Sequence, residues 1–520
     1  MRSFETIIVG SGPSATAAAR VLNRPGTAVF DIGRQPANGS VMTSLTDAKV
    51  CGDVRALLGS NWQSLDNLAD EVRHPKLRAE NVSYAIDGEP IEIVDETGTL
   101  IQSLSTSAAF GGLANAWGAQ LYRYTDEDLK ALGDWPITAA ALAPFYEDLE
   151  RHIGLSGTAD DLDDYFGHQL LTGEPIDLVP TAKRLLRRYS GKRAGRGARL
   201  ALGLPRLGVL TRPHGSRPAH GLNETEFFET LQPGIYTPRR TWDDLRADGR
   251  IEYIGGVRVD GFMERADRVE VDCTDICSGE KWQASAGRLL LGAGVINSTR
   301  LVASSLGWRR VELPFLEHPP TLLPLFSLLD LGASLPQRSF PVQLAGRFRH
   351  DNEDQLVSVY YAGGTLRSDF VFDLPLPLTG SLRLFESLLG GMLVAQIWTS
   401  ARPHHCNRFR VDDAGRTSIV YGHRPHNDGI PKLVREFFCL GFVTSSGLAK
   451  HAIPGWGFHY AGTMPMSRTP GPEQCDLLGR PTGLQRTHVI DGSLLPSLPA
   501  KNISLTVMAN AARIAQEISA

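Results

Sequence analysis

The chain has 520 residues, too many for one compact core, since domains usually contain roughly 100–200 residues. Its 53 Lys+Arg and 57 Asp+Glu give a formal net charge of −4, which excludes a nucleic-acid binder driven by bulk charge. Charged residues at 21% and hydrophobic residues at 42% exclude a disordered chain. The 53 glycines exceed the average share of roughly 7% and show no collagen-like period. We therefore expect them at turns and at close backbone approaches.

The six cysteines are scattered and form no CxxC motif, which favours a reducing compartment over a disulfide framework. The N-terminal residues enter a strand without an apolar region of signal-peptide length. The longest uncharged apolar stretch, which starts at Ser387, is shorter than the roughly 18–20 residues that span a bilayer. The sequence therefore predicts a cytoplasmic protein without a transmembrane segment.

The first thirty residues have the pattern of a βαβ unit. The apolar run "TIIVG" predicts a buried strand, "GSGPSATAAARVL" a helix, and "TAVFDIG" a second strand that ends near Asp31. In the GxGxxA pattern between strand and helix, Gly10 allows a tight turn, Gly12 a close approach to a pyrophosphate, and Ala15 close helix packing. Asp31 can accept hydrogen bonds from a ribose. The predicted dinucleotide contacts in this unit are Gly10, Ser11, Gly12, Pro13, Ser14, Ala15, Asp31 and Gly33. This unit alone does not separate NAD from FAD.

Later segments indicate a second lobe. "GRLLLGAGVINSTRLV" predicts another buried strand, which ends in Gly292-Ala293-Gly294 before a helix. Residues 40–100 have few helix signals and are expected to be irregular cover. Residues 311–454 are rich in Pro and Leu, contain a hairpin signal, and end in an apolar helix expected around Leu433–Leu448. This texture indicates a separate lobe that faces a substrate.

The last sixty residues hold the most specific pattern. The stretches "GWGFHYAGTMPM" and "THVIDGSLLPSLPAKNISLTVMANAARIAQEI" contain, in order, His459, Gly462-Thr463, Met466, Ile490-Asp491-Gly492-Ser493, Pro496, Asn502 and Thr506. This order resembles the C-terminal signature of the GMC (glucose–methanol–choline) oxidoreductases, which are FAD-dependent alcohol oxidases and dehydrogenases. The central "FGGLANAW" is similar to the pyranose-oxidase-like and bacterial sugar-oxidoreductase branch.

The resemblance implies an α/β fold with two domains. A Rossmann-like FAD-binding domain would be assembled from residues 1–155, 225–310 and 455–520. An α+β substrate-binding domain, built on an antiparallel sheet, would comprise residues 156–224 and 311–454.

The resemblance also implies roles for His459 and Asn502. Oxidising an alcohol removes a proton from oxygen and a hydride from carbon, and a neutral imidazole is suited to take the proton near neutral pH. By resemblance, His459 is this base, Asn502 holds the developing alkoxide, and the hydride passes to flavin N5. Taken singly, His459 could instead be a core residue and Asn502 a helix N-cap.

The remaining contacts with FAD also come from the resemblance. They are Gly111, Gly112, Asn115, Ala116, Val257, Gly292, Ala293, Gly294, Asp491, Gly492, Asn502 and Ile503. Asn115 has a second interpretation as a turn-forming residue. Some relatives attach the flavin through a histidine at the position of Ala116, so this sequence predicts non-covalent FAD.

The expected substrate is a small alcohol, a sugar or another polyhydroxylated carbinol. Lys183 to Arg217 contains eleven Lys and Arg and no acid, which indicates either a solvated basic surface or docking of an anionic or carrier-linked substrate. The electron acceptor, whether oxygen, a quinone or a protein, stays open.

Three other classes of function are compatible with parts of this sequence. A lyase of the hydroxynitrile type or an isomerase could use the same fold without net substrate oxidation, and a carrier would bind FAD without catalysis. A nicotinamide enzyme would not need the C-terminal half to return to the nucleotide domain.

Two histidine features remain. His404, His405, Cys406, His423 and His426 have spacings that fit no common metal site, so we expect no metal. His318, in "EHPP", resembles a family turn near the active-site entrance, and a structural role is expected.

Overall fold

The computed structural model describes residues 2–35, 84–133, 135–192, 199–222, 234–333, 339–361, 376–423 and 428–519. Cys51 and His426 lie outside these residues. In chain order the strands are β1 Arg2–Val9, β2 Thr27–Asp31, β3 Pro90–Val94, β4 Leu100–Ser105, β5 Leu200–Gly203, β6 Glu252–Gly255, β7 Val257–Glu264, β8 Val269–Asp275, β9 Lys281–Leu291, β10 Val311–Pro314, β11 Thr321–Phe326, β12 Val342–His350, β13 Glu353–Tyr361, β14 Met392–Trp398, β15 Asn407–Val411, β16 Thr417–Tyr421, β17 Lys450–His451 and β18 Thr487–Val489. The α-helices are α1 Pro13–Val21, α2 Asp126–Leu132, α3 Ala139–Ile153, α4 Asp163–Phe166, α5 Pro180–Lys192, α6 Pro238–Asp248, α7 Val295–Ser305, α8 Leu378–Leu389, α9 Ile430–Cys439 and α10 Ser504–Glu517.

The first sheet is parallel where it meets the opening unit. Its order is β6-β2-β1-β9-β8-β7, with β18 also paired to β9. Strands β6, β2, β1, β9 and β18 run parallel, whereas β8 and β7 extend the sheet antiparallel. The continuous apolar run of β1 suits a parallel strand covered on both faces, and Ile7 and Ile8 are fully buried. The βαβ unit expected from the sequence is therefore present.

The terminal helix α10 packs along α1. The buried alanines of α1 at positions 15, 17, 18 and 19 let the two helices approach closely. The last residues of the chain thus return to the opening βαβ unit, and both ends of the chain belong to this part of the fold.

The second sheet, ordered β17-β11-β14-β13-β12-β5, is antiparallel. One face packs against Leu185 of α5 and against Leu433 and Phe437 of α9. Because strand side chains alternate between faces, the other face of β13 and β14 is available to form the wall of a cavity. A third sheet has the strand order β10-β15-β16-β3-β4. Its strands come from two separate parts of the chain, residues 90–105 and residues 311–421.

Two sequence expectations were wrong in detail. The helix expected around Leu433–Leu448 is α9, which ends at Cys439 because Gly441 adopts φ +80° and Val443 then pairs with Phe326. The stretch 40–100 is not irregular throughout, because β3 forms with its alternating residues Ile91 and Ile93 buried.

The described chain is mixed α/β, as expected, and the division into two domains stays a prediction. None of the described helices combines the length and the apolar character needed to cross a membrane.

Candidate active site

A cavity of about 1260 Å³ lies at the carboxyl ends of β1, β2 and β9. Ligands bind at this edge in open α/β sheets, where successive strands part to opposite sides. Its volume exceeds the roughly 300–1,000 Å³ of an ordinary small-ligand pocket. The cavity therefore has room for an extended cofactor together with a small substrate.

Most of the residues predicted from the sequence line this cavity. They are Gly10, Ser11, Gly12, Pro13, Ser14, Asp31, Gly112, Ala116, Val257, Gly292, Ala293, Gly294, His459, Asp491, Gly492, Asn502 and Ile503. Ala15, Gly33, Gly111 and Asn115 are not among the lining residues.

Ala15 and Asn115 support the cavity from behind. A Cβ on Gly292 would lie 3.0 Å from the Cβ of Ala15, so a small residue is needed where helix meets strand. The Asn115 amide nitrogen donates to Phe110 O at 2.9 Å and to Gly112 O at 2.8 Å. Asn115 thus holds the turn, as its second interpretation predicted. It does not line the cavity, so the contact with the flavin that was expected of it gains no support.

The Gly10–Gly12 turn leaves open space at the start of α1. Gly10 adopts φ +97°, and a Cβ there would lie 2.7 Å from Gly292 O. Gly12 is the N-cap of α1 without a side-chain cap, and a Cβ built on it meets no atom within 4 Å. The free N–H groups and the positive end of α1 therefore face space that suits an anionic group such as a diphosphate.

Asp31 ends β2 at the cavity wall. The Tyr253 hydroxyl donates to Asp31 Oδ2 at 2.9 Å, and burial raises the pKa of the carboxyl to about 6. A buried carboxylate with remaining acceptor capacity suits a ribose hydroxyl.

Sequence reasoning missed four lining arginines, Arg34, Arg258, Arg300 and Arg416. Arg34 pairs with Asp87, Arg258 pairs with Asp260, and Arg300 donates to Thr417 at 2.9 Å. Each comes from a different segment, so no local motif could have linked them.

Asp491 ties the C-terminal signature to α7. Its Oδ2 accepts from the Ser298 hydroxyl at 2.5 Å, and its Oδ1 accepts from the Ser493 hydroxyl at 2.7 Å. Burial raises the pKa of this carboxyl. Asp491 therefore fixes the two loops that flank the cavity at Gly294 and Gly492.

His459 lies between two aromatic side chains. Its ring stacks on Trp398 with centroids 4.7 Å apart, and its Nδ1 lies 3.4 Å from Nδ1 of His318. His318 Nε2 lies 3.4 Å from Leu498 O, which can only accept, so Nε2 carries the proton of His318. Burial lowers the pKa of His318 to about 4, which keeps that ring neutral with Nδ1 as an acceptor. When the His459 ring is neutral, its proton then lies on Nδ1, and Nε2 is the ring nitrogen that can accept a proton.

The role of His318 was not foreseen. A structural role was expected for it, whereas the structure places it against the candidate base. In the sequence, only the family-like turn "EHPP" drew attention to His318. Only the fold brings residues 318 and 459 together.

A strained loop positions His459. Phe458 adopts φ +53°, which is rare for a bulky residue and is found at sites held by their surroundings. The buried Glu317 carboxylate accepts from Gly455 N at 2.9 Å and from Gly457 N at 2.6 Å. Burial raises the pKa of Glu317 to about 7. Glu317 thus braces the backbone that immediately precedes the base.

Replacing Glu317 with Gln should remove a pH dependence of stability. The pKa of Glu317 is raised in the folded state from its usual 4.5 to about 7, so its contribution is full at low pH and is lost as pH rises through about 7. Between these values the free energy of unfolding of the wild type should fall relative to E317Q by on the order of 3 kcal/mol. Urea unfolding from pH 4.5 to 8 measures this difference, and substitution of the exposed Glu92 by Gln is the control. Parallel pH profiles for wild type and E317Q would contradict the assignment.

Asn502 precedes α10 but does not cap it. The N-cap of that helix is Ile503, with no side-chain cap, and Asn502 Oδ1 is buried without a partner among the described residues. The N-cap interpretation therefore does not describe this side chain. The orphaned amide oxygen and the open space at Gly12 both fit a bound cofactor and substrate, so the residues present fit the FAD that the sequence resemblance implies.

Two other features lie away from the cavity. His404, His405 and Cys406 have potential ligand atoms within 4.8 Å of one another, and His423 stacks on His404 at 4.0 Å, but none of the four lines the cavity. In the basic stretch, Arg184 bonds Asp330 at 2.8 Å and the buried Arg206 bonds Asp163 at 2.6 Å. The described residues of 183–217 do not line the cavity either, so the docking of an anionic substrate there gains no support.

The comparisons with known proteins agree with this geometry. Residues 445–511 match the family model described as GMC oxidoreductase, and this segment contains His459, Asp491 and Asn502. No curated protein matches the chain at a significant level.

Solved structures match along the whole chain. Pyridoxine 4-oxidase from Mesorbium loti is 14% identical with a TM-score of 0.62, over 99% of this chain and 99% of that chain. Two variants of formate oxidase from Aspergillus oryzae RIB40, solved to examine FAD modification, are 14% identical with TM-scores of 0.63 and 0.62, over 100% of this chain and 98% of each of theirs. The resemblance seen in the sequence is thereby confirmed for residues 445–511, which match the GMC oxidoreductase family model, and the chain has the fold of these oxidases along its whole length.

Proposed function

We propose that this protein is an FAD-dependent oxidoreductase that oxidises the CH–OH group of an alcohol to a carbonyl. One observation carries the proposal. A single cavity is lined by the Gly10–Gly12 turn and Asp31, which suit a dinucleotide, and also by His459 and Asn502, which suit the chemistry. The family of residues 445–511 agrees with it.

FAD would be held by residues at the start of α1, at the end of β2 and in the loops that line the cavity. The start of α1 at Gly12 would bind the diphosphate, and Asp31 the ribose. Gly112, Ala116 and Ile503, all cavity-lining, would surround the flavin ring. The division into a cofactor domain and a substrate domain belongs to the same proposal.

The residues of the chain have distinct tasks in the reaction. His459 Nε2, the accepting nitrogen of the neutral ring, takes the proton of the substrate hydroxyl. The Asn502 amide donates to the oxygen on which negative charge develops. FAD, when bound, supplies a two-electron acceptor for the hydride that leaves the carbon bearing this hydroxyl group. His318 keeps His459 in the tautomer that can accept the proton.

The substrate class and the electron acceptor are further parts of the proposal. A sugar or another polyhydroxylated carbinol is favoured by the branch resemblance of "FGGLANAW". Oxygen, a quinone or a protein would then take the electrons.

An anaerobic screen tests the proposal. Sugars, polyols and simple alcohols are mixed with the holoenzyme, loss of the visible flavin band is followed, and products are identified by mass spectrometry. Bleaching together with a carbonyl product supports alcohol oxidation. Turnover to a cleaved or isomerised product, with no net loss of two hydrogens, would instead favour a lyase or an isomerase.

The flavin should be released when the protein is denatured with acid. Ala116 stands where some relatives carry the attaching histidine, and alanine offers no nucleophile for a flavin bond. Precipitation with trichloroacetic acid should therefore leave the yellow cofactor in the supernatant. Flavin that stays with the washed polypeptide would contradict this prediction.

A further inference from the structure

The second sheet contributes a polar wall to the cavity. On β14, Leu393, Ala395 and Ile397 face the core under α5 and α9. The alternate residues Gln396 and Trp398 line the cavity instead, and each is only 5% exposed. Two polar side chains therefore stand side by side on one strand face.

These two side chains have buried polar atoms without partners. Among the described residues, Gln396 Oε1 and Trp398 Nε1 are enclosed and make no hydrogen bond. A buried polar atom left unsatisfied costs about 1–3 kcal/mol. Such a cost at two neighbouring positions in a cavity wall indicates groups reserved for a ligand.

The polar residues next to Gln396 on this wall are satisfied, in contrast. Gln120 donates to the Tyr360 hydroxyl at 2.9 Å and accepts from Tyr122 at 3.0 Å and from Ser358 at 2.8 Å. Ser358 is the β13 residue paired with Gln396. The open hydrogen-bonding capacity is thus found on Gln396 and Trp398 rather than spread over this network.

The two open atoms have complementary requirements. Gln396 Oε1 needs a donor, and Trp398 Nε1–H needs an acceptor. A hydroxyl group is both donor and acceptor, so a single hydroxyl can satisfy both atoms. Trp398 also stacks on His459 at 4.7 Å, which places this wall beside the group that would deprotonate the reacting carbinol.

The wall carries no formal charge. Its described cavity-lining side chains are those of Gln120, Tyr360, Gln396 and Trp398, all neutral. A carboxylate or phosphate would find no cationic partner among these four side chains, and burying a charge unpaired is costly. The wall therefore suits an uncharged ligand.

Building on the proposed function, we infer that the substrate is an uncharged polyol with a second hydroxyl next to the oxidised carbinol, and that Gln396 and Trp398 bind this hydroxyl. Gln396 Oε1 accepts a hydrogen bond from this hydroxyl, and Trp398 Nε1–H donates a hydrogen bond to its oxygen. These residues determine specificity, and His459 and Asn502 remain the groups of the reaction itself.

Matched substrates test the inference without any mutation. The holoenzyme is assayed anaerobically with trans-1,2-cyclohexanediol against cyclohexanol, and with 1,5-anhydro-D-glucitol against its monodeoxy analogues. The kcat/KM for flavin reduction should be about 10- to 100-fold higher for the compound that has the neighbouring hydroxyl. Equal values within each pair would overturn the inference but leave the proposed function standing. If none of these or the screened alcohols reduces the flavin, the proposed function fails and the inference fails with it.

Two variants then assign the preference to residues. Q396M removes the amide while keeping a side chain of similar length, and W398F removes the indole N–H together with one ring while keeping an aromatic side chain. Each should reduce the ratio of kcat/KM between diol and mono-alcohol by about 10-fold. The controls Q283M and W282F make the same changes on β9, outside the cavity lining, and should leave the ratio unchanged. An unchanged ratio in Q396M and W398F, with normal flavin content, would overturn the assignment.

Discussion

Replacing His459 with alanine should slow anaerobic flavin reduction by an alcohol by at least about 10²-fold while FAD stays bound. The expectation follows from the tautomer chain Leu498–His318–His459, which leaves His459 Nε2 as the accepting nitrogen. Without the imidazole, the hydroxyl proton has no acceptor of suitable strength, and an unassisted alkoxide is too poorly populated near neutral pH. Stopped-flow absorbance of the flavin band measures the rate.

The controls separate chemistry from folding. His451→Ala removes an exposed histidine in β17, away from the cavity lining, and should leave the rate unchanged. His459→Gln keeps a polar side chain against Trp398 but has no basic nitrogen, so it should be nearly as slow as His459→Ala. Wild-type rates in both His459 variants, with full flavin content, would remove His459 from the role of base.

Substitutions at Gly12 and at Gly10 should have different effects: the first should weaken FAD binding, and the second should destabilise the protein. In Gly12→Ala the new Cβ has no protein atom within 4 Å, and the backbone at this position has a conformation that alanine adopts without strain. The apoprotein should therefore keep its stability to within about 1 kcal/mol. The methyl group would occupy the space in which a diphosphate approaches the start of α1. FAD affinity should therefore fall by at least about 10-fold.

Gly10→Ala should instead destabilise the protein itself. At φ +97° a Cβ is strained and lies 2.7 Å from Gly292 O, a backbone atom that cannot rotate away. We expect a loss of on the order of 2–3 kcal/mol in the free energy of unfolding of the apoprotein. Urea denaturation of apoprotein and fluorescence titration with FAD distinguish the two variants.

Gly191→Ala is the matched glycine control. Gly191 lies in α5, has open space around its Cβ position and does not line the cavity. Alanine there should not weaken FAD binding, and it should stabilise the helix slightly. Undiminished FAD affinity in Gly12→Ala would contradict the placement of the diphosphate at this turn.

The sequence predicted those parts of the fold that local patterns encode. The apolar run of β1, the glycine turn and the apolar β2 are contiguous, and the structure has this βαβ unit. The end of α9 was placed too late, since the turn at Gly441 and the pairing of Val443 with Phe326 depend on a strand more than a hundred residues away. The sequence left the role of the basic stretch open for the same reason, because the acids that pair with Arg184 and Arg206 lie in other segments.

The candidate site was predicted where the family motif is local, and it was missed where long-range packing builds it. His459 and Asn502 were named from the C-terminal pattern, and both line the cavity. His318 and Glu317 act through contacts with residues about 140 positions later, which no spacing rule reveals. Gln396 did leave a signal, as a polar residue inside the apolar strand "MLVAQIW", although the face it occupies was settled only by the pairing of β13 and β14.

A single anaerobic turnover tests the central claim most directly. Holoenzyme is mixed with an alcohol identified in the screen, unlabelled or deuterated at the carbinol carbon, and flavin reduction and carbonyl product are both quantified. We predict one carbonyl formed for each flavin reduced, with slower reduction of the deuterated alcohol because the bond to that hydrogen breaks in the step. Product formation while the flavin stays oxidised would contradict the account.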